Sequence, residues 1–166
     1  MASDATDTGT TGRPDARAWA SGAAGGVVAA VLTGLIIQFA FDPAVLSESI
    51  PSAVGLSGLA AGWVVLLLFG VVLGLAYAAA AGFDPLAAYA GVPGTGVAVG
   101  LAFGIILWVL AVVATPIWLG VVGVENGYDA ANLRAILGYA LFGVVVGLVY
   151  ALSPDTGPGG PRARRE

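Results

Sequence analysis

Four long stretches of this chain carry no charged side chain at all: residues 19–41, 56–83, 94–124 and 135–152. About 20 apolar residues in a helix suffice to cross the hydrocarbon of a bilayer, and each stretch approaches or exceeds that length. Only 10% of residues are charged and 58% are hydrophobic, with a mean hydropathy of +0.95, against roughly 25% charged in an ordinary soluble domain. The expectation is an all-α integral membrane protein, a four-helix transmembrane bundle with spans at about 19–41, 56–83, 94–122 and 131–152. The first stretch is long, follows a polar segment containing acids as well as arginines, and shows no clear cleavage signal, so it reads as a span rather than a signal peptide.

Residues 1–18 and 153–166 are rich in Gly, Pro, Thr and charge without apolar periodicity, which predicts two disordered tails around a transmembrane domain of 19–152. Arg13 and Arg17 precede the first span, Arg162, Arg164 and Arg165 follow the last, and only Arg134 lies between. The bias of arginine toward the cytoplasmic side predicts a multi-pass protein of the cell membrane with both termini in the cytoplasm, as an even number of spans requires. The loops near residues 42–55 and 125–134 then face outward. Arg134 is expected to neutralise a neighbouring outer acid such as Glu125 or Asp129, or else to bind an anion.

Cysteine and histidine are both absent. Disulfides, thiolate nucleophiles, imidazole metal ligands and histidine proton shuttles are therefore excluded. Lysine is absent too, and the net charge is −4. An acidic, lysine-free chain suits a high-salt cytoplasm, and it equally suits a GC-rich genome. No basic patch with interleaved aromatics points to nucleic acid. Ser57 and Thr115 have no partner base, no Gly-rich loop ends in Lys, and the stretches hold no Asp, Glu, Arg or Lys. The expectation is a non-enzymatic protein without catalytic residues, metal or cofactor.

The phrase "FGVVLGLAYAAA" at Phe69 returns as "FGVVVGLVYALS" at Phe142, with eight identities in twelve at an offset of 73. At the same offset the first and third stretches align weakly, with Pro43 on Pro116. Units of two helices must enter the membrane in one orientation, so the repeat predicts two parallel helical hairpins about a pseudo-twofold axis along the membrane normal. Positions i, i+4 and i+7 share a helix face. Gly70, Gly74 and Tyr77 thus line one face, and Gly143, Gly147 and Tyr150 its counterpart.

The same spacing recurs at Gly22/Gly26, Gly58/Gly62 and Gly96/Gly100/Gly104. Such strips let helix backbones approach closely where lipid supplies no hydrophobic force between helices. They predict a compact bundle with face left for self-association or a membrane-protein partner. Tyr77 and Tyr150 are expected either at the headgroup level, as belt anchors, or flanking a common opening. Trp19 and Trp118 read as belt residues, and Trp63 and Trp108 as fillers against glycine strips. Gln38 is expected to face another helix and donate a hydrogen bond. A second reading makes Gln38, Ser57, Thr115, Tyr77 and Tyr150 the lining of a small solute or ion pathway.

"FDP" occurs at Phe41 and again at Phe83. Asp followed by Pro opens helices well, since the carboxylate caps free N–H groups and proline needs no donor there. Two short interfacial helices are expected. Pro116, inside the third stretch, is expected to kink or end its helix.

The combination "FDPAVLSESIPSAVGLSGLAAGW", "FGVVLGLAYA" and "LGYALFGVVVGLVYAL" resembles the small four-span membrane proteins of haloarchaea, a family of unknown function sometimes labelled histidine kinase. Members of that family often carry histidines at positions matching Leu66, Phe69 and Tyr139. This chain has none there, so the resemblance implies no metal, haem or proton role at those places. A kinase role is excluded, with no histidine to phosphorylate and no nucleotide-binding domain.

Overall fold

The computed structural model describes residues 16–123 and 131–153, apart from the side chain of Asp84. The expected outer acids Glu125 and Asp129, and nearly all of both tails, lie outside the described residues. Four helices are long and apolar enough to cross a membrane: α1 (Ala16–Ala40), α3 (Leu59–Ala81), α5 (Pro93–Val122) and α6 (Leu133–Leu152). Between α1 and α3 a π-helical turn, Val45–Ser49, runs into a single α-helical turn, α2 (Ile50–Ser52), and α4 (Asp84–Ala90) joins α3 to α5. Arg17 and Arg134, each the second residue of its helix, are the only charged side chains in the four long helices. No other side chain in them carries a charge that would have to leave water to enter the bilayer.

Several boundaries have a local cause. Asp42 accepts a hydrogen bond at Oδ1 from the Ala44 N–H at 3.0 Å, turning the chain into the short helical segment that follows α1. α4 opens with Phe83 in the cap position and Pro85 in its first turn, where a missing N–H is harmless. α6 starts where Asn132 offers its side-chain oxygen to the Ala135 N–H at 2.8 Å. α5 does not stop at Pro116: it continues to Val122 and ends at Gly123, whose φ of 68° is a left-handed helix terminus.

The helices pack as a bundle. α1 lies against α3, α5 against α6, and α1 against α6, while α4 tucks beneath α5 and touches α3 and α6. α3 and α5 have no comparable backbone approach. The interior is built largely from small residues and a few aromatics: Ala29, Ala30, Tyr77, Ala78, Val146 and Tyr150 are buried, with Trp19, Leu66, Leu73, Val99, Phe103 and Leu107 packed on them. The remaining faces are apolar and exposed, as helices that meet lipid on their outer sides require.

Candidate functional site

The α1·α3 contact is backbone on backbone. A Cβ placed on Gly26 would fall on the Gly70 carbonyl oxygen, and 2.9 Å from Gly74 Cα. One placed on Gly22 would lie 2.5 Å from Gly74 O, and one on Gly70 would lie 2.6 Å from both Gly26 O and Ala30 Cβ. The α5·α6 contact is built alike. Gly100 lies against the Gly143 carbonyl, Gly147 against that of Gly96, and Gly104 against that of Tyr139. Four-residue spacing brings these glycines to one helix face, and without a Cβ the helices close until carbonyl oxygens touch the opposite backbone, where weak Cα–H contacts add to dispersion.

Two glycines of the sequence reading belong elsewhere. Gly58 is outside α3: its φ is 92° and nothing lies within 4 Å of a Cβ built on it. Its role is the backbone turn before the helix, which a residue with a Cβ adopts only with strain. Gly62 faces the Leu46 carbonyl, so it seats the π-helical turn on α3 rather than another long helix. Leu46 is itself fully buried there.

The tyrosines are not belt residues. Tyr77 is 0% exposed and Tyr150 4%, which places both rings inside the protein. They meet edge to face with centroids 5.4 Å apart, and Tyr77 makes a second edge-to-face contact with Phe103 at 5.3 Å. The Tyr77 hydroxyl donates a long hydrogen bond of 3.5 Å to Gly96 O. Rings meeting in this way fill the space between helices toward the α4 end of the bundle. Aromatic amphipathicity pointed to an interface, but the neighbouring glycines draw the helices so close that the ring between them has no path outward.

Gln38 does face another helix, with the polarity reversed from the expected one: its Oε1 accepts from Trp63 Nε1 at 3.0 Å. The Trp63 ring covers Gly34, two of its atoms lying 2.6 Å from where a Cβ would stand. Gln38→Leu is expected to lower stability by about 0.6 kcal/mol. A double-mutant cycle with Trp63→Phe in detergent unfolding should return a coupling energy of that order.

Ser57 is exposed in the turn before α3 and Thr115 half-buried on α5. Gln38, Ser57 and Thr115 thus stand toward one end of the bundle, and Tyr77 and Tyr150 toward the other. Between the two sets the core is apolar, with Ala29, Ala30, Phe142 and Val146. The one polar side chain buried at that depth is Thr33, whose Oγ1 has no hydrogen-bond partner among the described residues. At the far end of α5 the exposed indole of Trp118 donates to Ala53 O at 2.8 Å, tying α5 to the segment after α2. Nothing in the spacing of Trp118 and Ala53, 65 residues apart, could have announced that bond.

Among the described residues no three His, Cys, Asp or Glu side chains come together as metal ligands would. In comparisons with known proteins, no family model matches the chain, and neither a curated protein nor a solved structure does.

Proposed function

We propose that this polytopic membrane protein is a non-enzymatic structural or accessory component, made of two hairpins of the same design and associating with itself or with a membrane-protein partner. The observation that carries the reading is the correspondence between the two hairpin contacts. Gly26 on Gly70 in the first answers to Gly100 on Gly143 in the second, and Gly74 on Gly22 answers to Gly147 on Gly96. The shift is 73 residues for α3 onto α6, as the duplicated phrase has it, and 74 for α1 onto α5. Pro43 and Pro116 therefore do not share the register of their helices. A chain that spends its small residues on holding helices together, and keeps ionisable groups other than tyrosine out of its four long helices beyond their first turns, is equipped for architecture.

In this reading the hairpins are parallel repeats about a pseudo-twofold axis, both termini are cytoplasmic by the arginine distribution, and kinship lies with the haloarchaeal small four-span proteins that the quoted phrases resemble.

Vesicles reconstituted with the protein are expected to hold ion and small-solute gradients as well as empty vesicles do. A leak above the empty control that Gln38→Leu removes would replace the structural reading by a pathway. Gentle purification from the native membrane is expected to bring down either a defined oligomer or a membrane partner. A strictly monomeric protein with nothing attached would count against association.

A further inference from the structure

We propose that the edge between α3 and α5 is a lateral seam along which the two hairpins part, with the α1·α6 contact as hinge and Tyr77 as latch.

Contacts along the bundle are unequal in kind. Within each hairpin the backbones touch through glycine, so α1 with α3, and α5 with α6, behave as rigid units. Between hairpins, α1 and α6 also come close: a Cβ on Gly25 would stand 3.4 Å from Val146 O and 3.5 Å from Val149 Cβ, ordinary packing distances. α3 and α5 have no such approach. Beside its buried glycine strip, α5 packs Val99, Phe103 and Leu107 onto the core at four-residue spacing, a bulky row rather than a smooth one.

Apart from α4, which joins the two helices at one end and packs on both, the links across that edge are few and made by side chains. At one end the Tyr77 ring meets Phe103 and its hydroxyl reaches Gly96 O, at the long distance of 3.5 Å. At the other end Trp118 donates to Ala53 O. Between these ties the helices expose large apolar side chains, Phe69 on α3 and Ile106 and Leu110 on α5, each more than half exposed. α5 is also the least buried span, 11% of its most apolar stretch against 33% for α1 and α6. Motion between two rigid units follows the interface with the fewest packed atoms and pivots on the one with most. Opening here would release two side-chain hydrogen bonds and the ring contacts of Tyr77 with Phe103 and Tyr150, while α4 keeps one end tied; opening at α1·α6 would separate packed backbones. The gap so formed would face the bilayer.

The chain has no cysteine, so paired spin labels can be placed at will. Val72→Cys with Ile106→Cys reports the seam, and Val28→Cys with Leu148→Cys reports the hinge; all four sites are exposed. In nanodiscs the seam pair should give a broader distance distribution than the hinge pair. The double variant Tyr77→Phe/Trp118→Phe keeps an aromatic ring at both positions but removes both hydrogen bonds, and should shift the seam pair to longer distances while leaving the hinge pair unchanged. Equal widths in the unmodified background, or a shift of both pairs together in the double variant, would overturn the proposal.

Discussion

Gly26→Ala is expected to force α1 away from α3 and destabilise the bundle strongly, whereas Gly25→Ala, one residue earlier, should be neutral or slightly stabilising. The methyl group at Gly26 would occupy the position of the Gly70 carbonyl oxygen, with Gly74 Cα 2.9 Å away. Backbone has no rotamer to yield, so the helices themselves must separate. Separation would also undo the Gly22 and Gly74 contacts, which depend on the same approach. Overpacking of a core ordinarily costs about 1–3 kcal/mol, and a clash with backbone belongs at or above the top of that range.

At Gly25 the new methyl group would meet its nearest atom, Val146 O, at 3.4 Å. Alanine there also gains roughly 0.5–1 kcal/mol of helix preference over glycine. Gly120→Leu serves as a control, since nothing lies within 4 Å of a Cβ at that position. Unfolding in detergent, followed by circular dichroism against added denaturing surfactant, reads all three. Equal effects at Gly25 and Gly26 would show that the α1·α3 contact is not held by Gly26.

Tyr77→Ala should be the most damaging single truncation of a large side chain. Tyr77 is the largest fully buried side chain among the described residues, and its ring touches Phe103 and Tyr150 on two different helices. Because an unfolded chain in lipid is solvated by hydrocarbon, little transfer energy is lost, and the cavity dominates. At ~24 cal/mol per Å³, a void on the order of 100 Å³ amounts to about 2–3 kcal/mol. Tyr77→Phe keeps both ring contacts and gives up only the hydrogen bond to Gly96 O, so a loss of about 0.6 kcal/mol or less is expected. The same unfolding measurement separates the two. A Tyr77→Phe variant as unstable as Tyr77→Ala would mean that the hydroxyl, not the ring, holds the junction.

The membrane architecture was legible in the amino-acid sequence because its cause is local. An uncharged run of some 20 residues has to become a spanning helix wherever it lies in the chain, and four such runs give four long helices. The turn at Asp42 was legible for a similar reason: a carboxylate two residues ahead of a free N–H needs only its own neighbours. Asn132, which caps α6, carries the same local signal. The candidate site was legible in a weaker sense. Spacing says which glycines share a face, and Gly22, Gly26, Gly70, Gly74, Gly96, Gly100, Gly104, Gly143 and Gly147 all stand at helix contacts. Spacing cannot say that Gly58 serves a turn, or that Gln38 accepts from Trp63 rather than donating.

The sequence by itself therefore determined how many long apolar helices there are and which glycines of each can share a face. These follow from hydrogen bonding within a helix and from a period of 3.6 residues, neither of which needs a second segment of chain. Only the tertiary structure decided which stripes meet, that Gly25 and Gly26 stand in unlike surroundings, that Tyr77 and Tyr150 turn inward, and that α3 and α5 make no close backbone approach. Those outcomes depend on how closely two backbones approach, and the distance at any one residue is set by the bulk of others more than 40 positions away in the chain, as Gly70 is from Gly26.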